Sequence, residues 1–228
     1  MASNDYDNIE CWQIVEAFNK AQFDWCRRNL HGINSLQEGD EQSTRRIDDL
    51  QVILTTSSMT LYHKQRYFET SDLPNDYFQW KRLSILGKDD CCEDRQFVTY
   101  LAEQANVDML LRDQNKKPSF EWGETFCTMK DNKIQIYTND EFEVTKAVLT
   151  YYRYPTRIQI KGCTDPYLSR PDPTAVNAGL VIPTVDVPCE FKDDLIELFI
   201  DEAVKILSGD IESFNIMQVA QQSVEGNN

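Results

Sequence analysis

Long apolar segments are missing from this sequence of 228 residues. No run approaches the roughly 18 consecutive apolar residues that a membrane-spanning helix needs. The first ten residues, MASNDYDNIE, have neither the basic nor the apolar region of a secretory signal. We therefore expect a protein that is made and kept in a cytoplasm. With 41% hydrophobic and 11% aromatic residues, the chain can still bury one sizeable core.

The residues and motifs of common enzyme sites are also scarce. The sequence has no Walker loop, GxGxxG, HExxH, GxSxG or EF-hand pattern. Its only histidines are His31 and His63. A histidine acid/base pair would therefore require these two distant residues to meet in the fold. We expect no enzymatic activity and no bound cofactor.

Positive charge is in short supply, since 23 Lys and Arg face 38 Asp and Glu, for a net charge of −15. Such a surface keeps a protein soluble and opposes indiscriminate binding to nucleic acid. The basic residues occur in small groups, and three tyrosines lie next to the group of Arg153, Arg157 and Lys161. This group could stack on nucleic acid or pair with an acidic neighbour, and the net charge favours the neighbour. Arg153 and Arg157 are therefore candidate partner-binding residues.

Metal-binding patterns are equally weak. The seven cysteines, at positions 11, 26, 91, 92, 127, 163 and 189, lack the paired short spacings of a zinc site. We predict free, reduced thiols that act as small apolar side chains; a reactive or metal-binding thiol is the alternative. Asp194, Glu197 and Asp201 share one helix face and could hold Mg²⁺. A solvated acidic face explains them better, because nothing cationic or glycine-rich lies beside them for a phosphate substrate, and we predict no metal site.

The first half of the chain predicts a helix followed by strands. Residues 7–29 have apolar residues at helical spacing after a capping Asp7, and His31-Gly32 predicts the end of that helix. Residues 32–46 predict an exposed loop. From residue 48 to 86 the alternation of Leu50, Val52 and Leu54 and the later aromatic residues predict strands. A strand at 97–101 and a short helix within 102–113 follow.

The second half predicts a sheet that ends in a proline, and then helices. Strands at 120–129, 134–137 and 144–154, joined by Asp and Asn turns, favour an antiparallel meander that ends at Pro155. The proline-rich segment 165–188 predicts an extended connector. A helix beginning after Phe191 should end at Ser208-Gly209. The residues spaced to lie on its apolar face are Phe191, Leu195, Leu198, Phe199, Glu202 or Ala203, and Ile206. We predict an α+β fold: a long N-terminal helix, a central antiparallel β meander or sandwich, and C-terminal helices.

Residues 209–228 predict a short C-terminal arm beyond a single domain at 1–208. Its apolar residues Ile211, Phe214 and Met217 are spaced to lie on one side of a short helix. A helix this short is marginal alone and must pack on something. It can fold back on its own domain or dock on a partner. We take these three residues as further candidates for partner binding.

Five short motifs occur in a familiar order along the chain. They are LPNDY (73–77), KPSF (117–120), KIQIY (133–137), YYRYP (151–155) and VPCE (187–190). Their order resembles the head–tail connector, or adaptor, proteins of tailed double-stranded DNA phages. The similarity is greatest to the first neck ring proteins of crAss-like phages with short tails, the podoviruses, and it spans about residue 49 to the C-terminus. The acidic 36–46 segment and the connector at 165–188 have no counterpart in it.

The resemblance implies a structural virion protein. Adaptors of this kind form a dodecameric ring beneath the portal, extend the channel used in DNA ejection, and receive the tail. The implied partners are the portal protein, other neck and tail rings, further copies of the chain, and passing genomic DNA without sequence-specific binding. The implied location is the neck of the virion, after assembly in the host cytoplasm. A metal-dependent enzyme, a cargo protein and a tail-hub protein are the alternatives that the composition leaves open.

Overall fold

The computed structural model of the protein describes residues 9–31, 44–89, 92–163 and 183–210. Its helices are α1 (Cys11–His31), α2 (Thr44–Leu50), α3 (Val107–Arg112) and α4 (Asp193–Asp210). Its strands are β1 (Leu54–Met59), β2 (Leu61–Lys64), β3 (Tyr67–Thr70), β4 (Tyr77–Asp89), β5 (Cys92–Leu101), β6 (Glu124–Lys130), β7 (Lys133–Tyr137) and β8 (Glu143–Arg153). The predicted α+β class is confirmed. Within the described residues, no helix combines the length and apolarity needed to cross a membrane.

The chain forms two compact units. The sheet unit is Ile53–Tyr154, and the helical unit combines Met1–Val52 with Pro155–Asn228. The sheet unit therefore interrupts the helical unit in the sequence. The chain leaves the helical unit after α2 and returns to it at Pro155.

The sheet unit is one curled half-barrel sheet of eight strands, in the order β1-β8-β4-β5-β6-β7-β3-β2. All neighbouring strands are antiparallel except β5 and β6, which are parallel. The two edge strands, β1 and β2, are separated in the sequence by Thr60 alone. Because one residue links opposite edges of the sheet, the sheet has to curl to bring those edges together.

Side chains fill the concave side of the sheet. Alternate residues of β7 and β8, such as Ile134, Ile136 and Leu149, are fully buried there. Stacked rings of Phe97 and Phe142, 4.3 Å between centroids, extend this core. Large apolar and aromatic side chains that lose most of their exposed area provide most of the stability of such a unit.

A second cluster covers the other face of β6 and β7. The short helix α3 contributes Val107 and Leu110, which pack against Phe126 and Tyr137. The rings of Phe126 and Tyr137 stack at 4.8 Å. These two strands are therefore buried on both faces, which explains why β6 contains four consecutive buried residues.

The Asp and Asn turns of the sheet lie where the sequence predicts them. Asp131 and Asn132 link β6 to β7 with φ of 51° and 61°, and Asn139 and Asp140 follow β7 with φ of 51° and 59°. These side chains tolerate the left-handed region better than most. Strands β6 and β7 pair as a hairpin, but β8 crosses the sheet and pairs with β1 and β4. The order of the strands in the chain therefore sets only part of their pairing.

The helical unit is built on an aromatic contact between α1 and α4. Trp25 of α1 packs edge to face with Phe191 and Phe199, at 5.7 Å to each ring. Phe18 contacts Phe199 in the same geometry at 5.9 Å. The buried face of α4 predicted from spacing is confirmed, since Leu195, Leu198, Phe199 and Ala203 are buried.

Three predicted boundaries differ from the structure. The predicted cap Asp7 lies outside the described residues; instead, the backbone N–H of Glu10 donates to Oε1 of Gln13 at 2.8 Å, as in a capping box. Residues 44–53, predicted as the end of a loop and a strand, form α2 and a 3₁₀ turn because Leu50 and Ile53 are buried with the period of a helix. Helix α4 continues to Asp210, through the predicted stop at Ser208-Gly209.

The prediction that all seven thiols are free is wrong for two of them. Cys11 and Cys163 form a disulfide, with 5.9 Å between their Cα atoms. Cys26, Cys127 and Cys189 are free. Residues 152 apart in the sequence were brought together by folding, and spacing alone gave no sign of this pairing.

Candidate functional site

Arg153 and Arg157, two of the candidate partner-binding residues, lie in different units. Arg153 ends β8 of the sheet unit, and Arg157 is exposed in the helical unit. The apolar candidates Ile211, Phe214 and Met217 lie outside the described residues. The sequence candidates are therefore described below as separate surfaces.

The surroundings of Arg153 are aromatic. Its guanidinium donates a hydrogen bond to the carbonyl of Tyr154, at 3.2 Å. The ring of Tyr154 packs on Phe78 at 4.9 Å between centroids and is 45% exposed. The other two tyrosines of this segment, Tyr151 and Tyr152, are buried. One accessible ring remains, so the row of stacking tyrosines that could have read nucleic acid is not present.

The buried tyrosines hold the end of the sheet together. The Tyr151 hydroxyl donates to Asp76 at 2.8 Å, and its ring lies 5.7 Å from that of Tyr77. Burial, together with the Asp76 carboxylate, raises the pKa of Tyr151 to about 12. Burial raises the pKa of Tyr77 to about 12 as well. These hydroxyls therefore stay protonated at neutral pH and serve packing and hydrogen bonding.

Arg157 lies in an extended segment, residues 155–163, that runs along α1 and that we call the strap. The side-chain amide of Asn19 donates to the carbonyl of Ile158 and accepts from its N–H, at 3.3 and 2.8 Å. Gln22 donates to the carbonyl of Thr156 at 2.9 Å. The Cys11–Cys163 disulfide fixes the far end of the strap. Backbone groups that would form sheet bonds in a strand are thus satisfied by helix side chains.

The other side of the strap pairs with residues 183–190. Gln159 and Val187 exchange two backbone hydrogen bonds, and the N–H of Thr156 donates to Glu190 at 2.8 Å. The Lys161 N–H donates to Asp186 at 2.7 Å. The strap therefore positions both the exposed Arg157 and the chain that leads into α4.

A loop at residues 119–123 carries an exposed tryptophan that the sequence did not single out. Trp122 is 77% exposed and borders two cavities of about 160 and 670 Å³. Arg95 stabilises the loop, because its guanidinium donates hydrogen bonds to the carbonyls of Phe120 and Glu121 at 3.0 and 2.7 Å. Trp122 is therefore an accessible apolar side chain on a loop whose backbone is held by hydrogen bonds.

The outer face of β5 is a second apolar surface that sequence reasoning missed. Val98 is 67% exposed, and its cross-strand neighbour Ser84 is small. Tyr100, two residues further along the strand, lies on the same face as Val98 and is 37% exposed. A departure from apolar and polar alternation over residues 97–101 was the only signal in the sequence, and a buried strand gives the same signal.

No group of three or more potential metal-ligating side chains comes together in the described part of the chain. On α4, Glu197 is exposed, as are Asp193 and Asp194. His63 lines a cavity of about 660 Å³ with Lys88, Asp89 and Asp140 among its neighbours, and its ring packs on Phe68 at 4.9 Å. The absence of enzymatic activity stays a prediction.

No protein-family model matches the chain, and no curated protein matches it.

Proposed function

We propose that this chain is a structural protein of a tailed-phage virion. It forms a neck ring that joins the portal to the tail and extends the DNA channel. The order of the five motifs quoted above supports this function. The observation that carries it in the structure is the spread of exposed large apolar side chains over both units. They are Val98, Met109 and Trp122 in the sheet unit and Ile14 and Ile160 in the helical unit.

A ring subunit needs several contact surfaces. In a closed ring each copy contacts its two neighbours through two different surfaces, and a neck ring also contacts what lies above and below. Scattered single apolar residues need no explanation, but Val98 at 67% exposed and Trp122 at 77% exposed lie on strongly anchored elements. The filled concave side of the sheet supplies the rigidity that such contacts need.

The net charge of −15 suits a channel protein. Carboxylates facing passing DNA repel its phosphates, so the genome can slide without sticking. We expect no micromolar affinity for duplex DNA at physiological salt. Filter binding or fluorescence anisotropy checks this, and tight binding would contradict the proposed role in the channel.

The proposed contact with the portal includes the C-terminal arm. We propose that Ile211, Phe214 and Met217 lie in a groove of the portal or of a neighbouring subunit, assisted by Arg153 and Arg157. Because α4 extends to Asp210, the chain should be truncated after that residue. The truncated protein should melt at nearly the same temperature and no longer co-sediment with the portal. A much lower melting temperature would place the arm in the core instead.

Electron microscopy of the full chain mixed with the portal protein of the same phage tests the function directly. We expect rings with the symmetry of the portal, stacked on its tail side. Native mass spectrometry of the mixture should show the same stoichiometry. If the chain stays monomeric and the portal remains bare at micromolar concentrations of both, the neck-ring function is wrong.

A further inference from the structure

Helix α4 packs one face against described residues of the helical unit, and these residues leave part of its opposite face exposed. Leu195, Leu198 and Phe199 point toward α1 and the aromatic contact. On the opposite face, Ile200 is 48% and Val204 40% exposed, and Ile196 is half-buried one turn earlier. Residues 196, 200 and 204 are four apart, so they form one apolar row along the helix. This row is the feature from which the inference starts.

An acidic row runs beside the apolar one. Asp193, Glu197 and Asp201 are also spaced four apart, and each lies next to the apolar row on the helix surface. Asp193 and Glu197 are exposed and form no ion pair with any described residue. The surface thus combines an accessible apolar strip with carboxylates along one side.

Three described basic residues on or beside α4 form ion pairs with other carboxylates. Arg28 and Lys205 both pair with Glu202 on the inner side of the helix, at 3.2 and 3.6 Å. Lys192 pairs with Asp48, and this hydrogen bond raises its pKa. The negative charges of Asp193 and Glu197 are therefore left for a partner to neutralise.

We propose that this face of α4, the apolar row with the acidic row beside it, binds an amphipathic helix of another protein that has apolar residues flanked by lysine or arginine. Two such helices can pack with their apolar rows in contact and their charged rows paired. A second copy of α4 does not fit, because it would set carboxylates against carboxylates. The inference concerns a surface distinct from the C-terminal arm and does not depend on the neck-ring function.

A pair of synthetic peptides of about 18 residues, the length of α4, tests this surface on the full chain. One carries leucine every fourth residue with lysine in the neighbouring row, and its twin carries glutamate in place of lysine. Fluorescence anisotropy should show saturable binding of the lysine peptide and none of the glutamate peptide. Ile200→Asn with Val204→Asn should weaken binding about tenfold or more. Because both side chains are already half-exposed, circular dichroism should show an unchanged fold.

Charge reversal provides the decisive comparison. The double variant Asp193→Lys with Glu197→Lys should bind the lysine peptide about tenfold more weakly than the wild type. It should also bind the glutamate peptide, which the wild type does not. Glu103→Lys with Asp108→Lys, which makes the same change in net charge on the sheet unit, should leave both affinities within about twofold. If both double variants lost the same affinity for the lysine peptide, the binding would reflect general charge attraction, and the proposal would be overturned. Failure of the lysine peptide to bind the wild-type chain would overturn it as well. The proposal would also be overturned if the chain alone formed a dimer and Ile200→Asn disrupted that dimer.

Discussion

Gly123 allows the backbone turn of the loop that carries Trp122. Gly123 has φ of +67°, a conformation in which side chains are strained, and a Cβ placed there would lie 3.0 Å from Nε of Arg95. Arg95 in turn holds the carbonyls of the loop that carries Trp122. The glycine therefore allows both the turn and the arginine beneath it.

We expect Gly123→Ala to destabilise the sheet unit by about 1–2 kcal/mol, part from the backbone and part from displaced Arg95. Urea unfolding followed by circular dichroism measures the change. In an Arg95→Ala background the cost of Gly123→Ala should fall to the backbone part alone. Gly162→Ala gives the size of that part, because Gly162 has φ of +78° and no atom near its Cβ position. Equal costs in both backgrounds would show that Arg95 is not involved.

Asn19 is the second residue whose role follows from a short list of contacts. It satisfies both backbone groups of Ile158 in the strap and is 6% exposed. Asn19→Ala should cost about 1–3 kcal/mol, because it leaves a donor and an acceptor unpaired in a partly buried site. The amide proton of Ile158 should exchange faster in hydrogen-exchange mass spectrometry. Asn29→Ala is the matched control, since Asn29 donates only to the carbonyl of Trp25 in its own helix. A similar cost for both would contradict the role of Asn19 in the strap.

Among the elements, the strap is where covalent and non-covalent contacts combine. It is held to α1 by the Cys11–Cys163 disulfide and by the amides of Asn19 and Gln22. A link between residues 152 apart restricts the unfolded chain strongly. The disulfide therefore adds a covalent link to an element that hydrogen bonds also hold in place.

We expect non-reducing peptide mapping of the purified protein to find the Cys11–Cys163 peptide pair. Reduction should lower the stability of the helical unit by about 2–4 kcal/mol, as measured by urea unfolding. Cys163→Ser should show the lower stability with and without reductant. Cys26→Ser should keep the response to reductant, because Cys26 is outside the bond. Recovery of Cys11 and Cys163 as alkylated thiols in air-exposed protein would contradict the pairing.

For the whole molecule, buried thiols and phenols couple stability to pH. Burial raises the pKa of Cys127 from 9.0 to about 12, and Tyr77 and Tyr151 rise from 10.0 to about 12. Above pH 9 the unfolded chain therefore holds fewer protons than the folded one, and the free energy of unfolding must fall as pH rises. Below pH 9 these groups are protonated in both states and contribute no slope.

We therefore expect the urea midpoint to decrease steadily between about pH 9 and 12. Cys127→Ala should reduce the slope of the first part of this decrease, between about pH 9 and 10, because thiols ionise before tyrosines in the unfolded chain. Part of the slope should remain, since burial also raises the pKa of Cys26. Tyr151→Phe should flatten only the later part. A midpoint that is constant across this range, or a Cys127→Ala profile identical to that of the wild type, would contradict the assignment.

Local sequence patterns correctly predicted the α+β class, the burial of one face of α4, and the Asp and Asn turns at 131–132 and 139–140. These features depend on local periodicity and on the backbone preferences of single residues, and both can be read within a few positions. The same local rules failed at residues 44–53, where alternating leucine and valine predicted a strand. There the burial of Leu50 and Ile53 favours helical geometry.

Contacts between residues far apart in the sequence could be identified only from the folded structure. The return of β8 to pair with β1 and β4, the Cys11–Cys163 bond and the contact of Asn19 with Ile158 link positions from 55 to 152 apart, and no local pattern encodes such partners. The exposure of Val98 and Trp122 was likewise decided by the fold. An apolar residue at a given position can face a core or solvent, and the choice depends on which strands and loops pack around it.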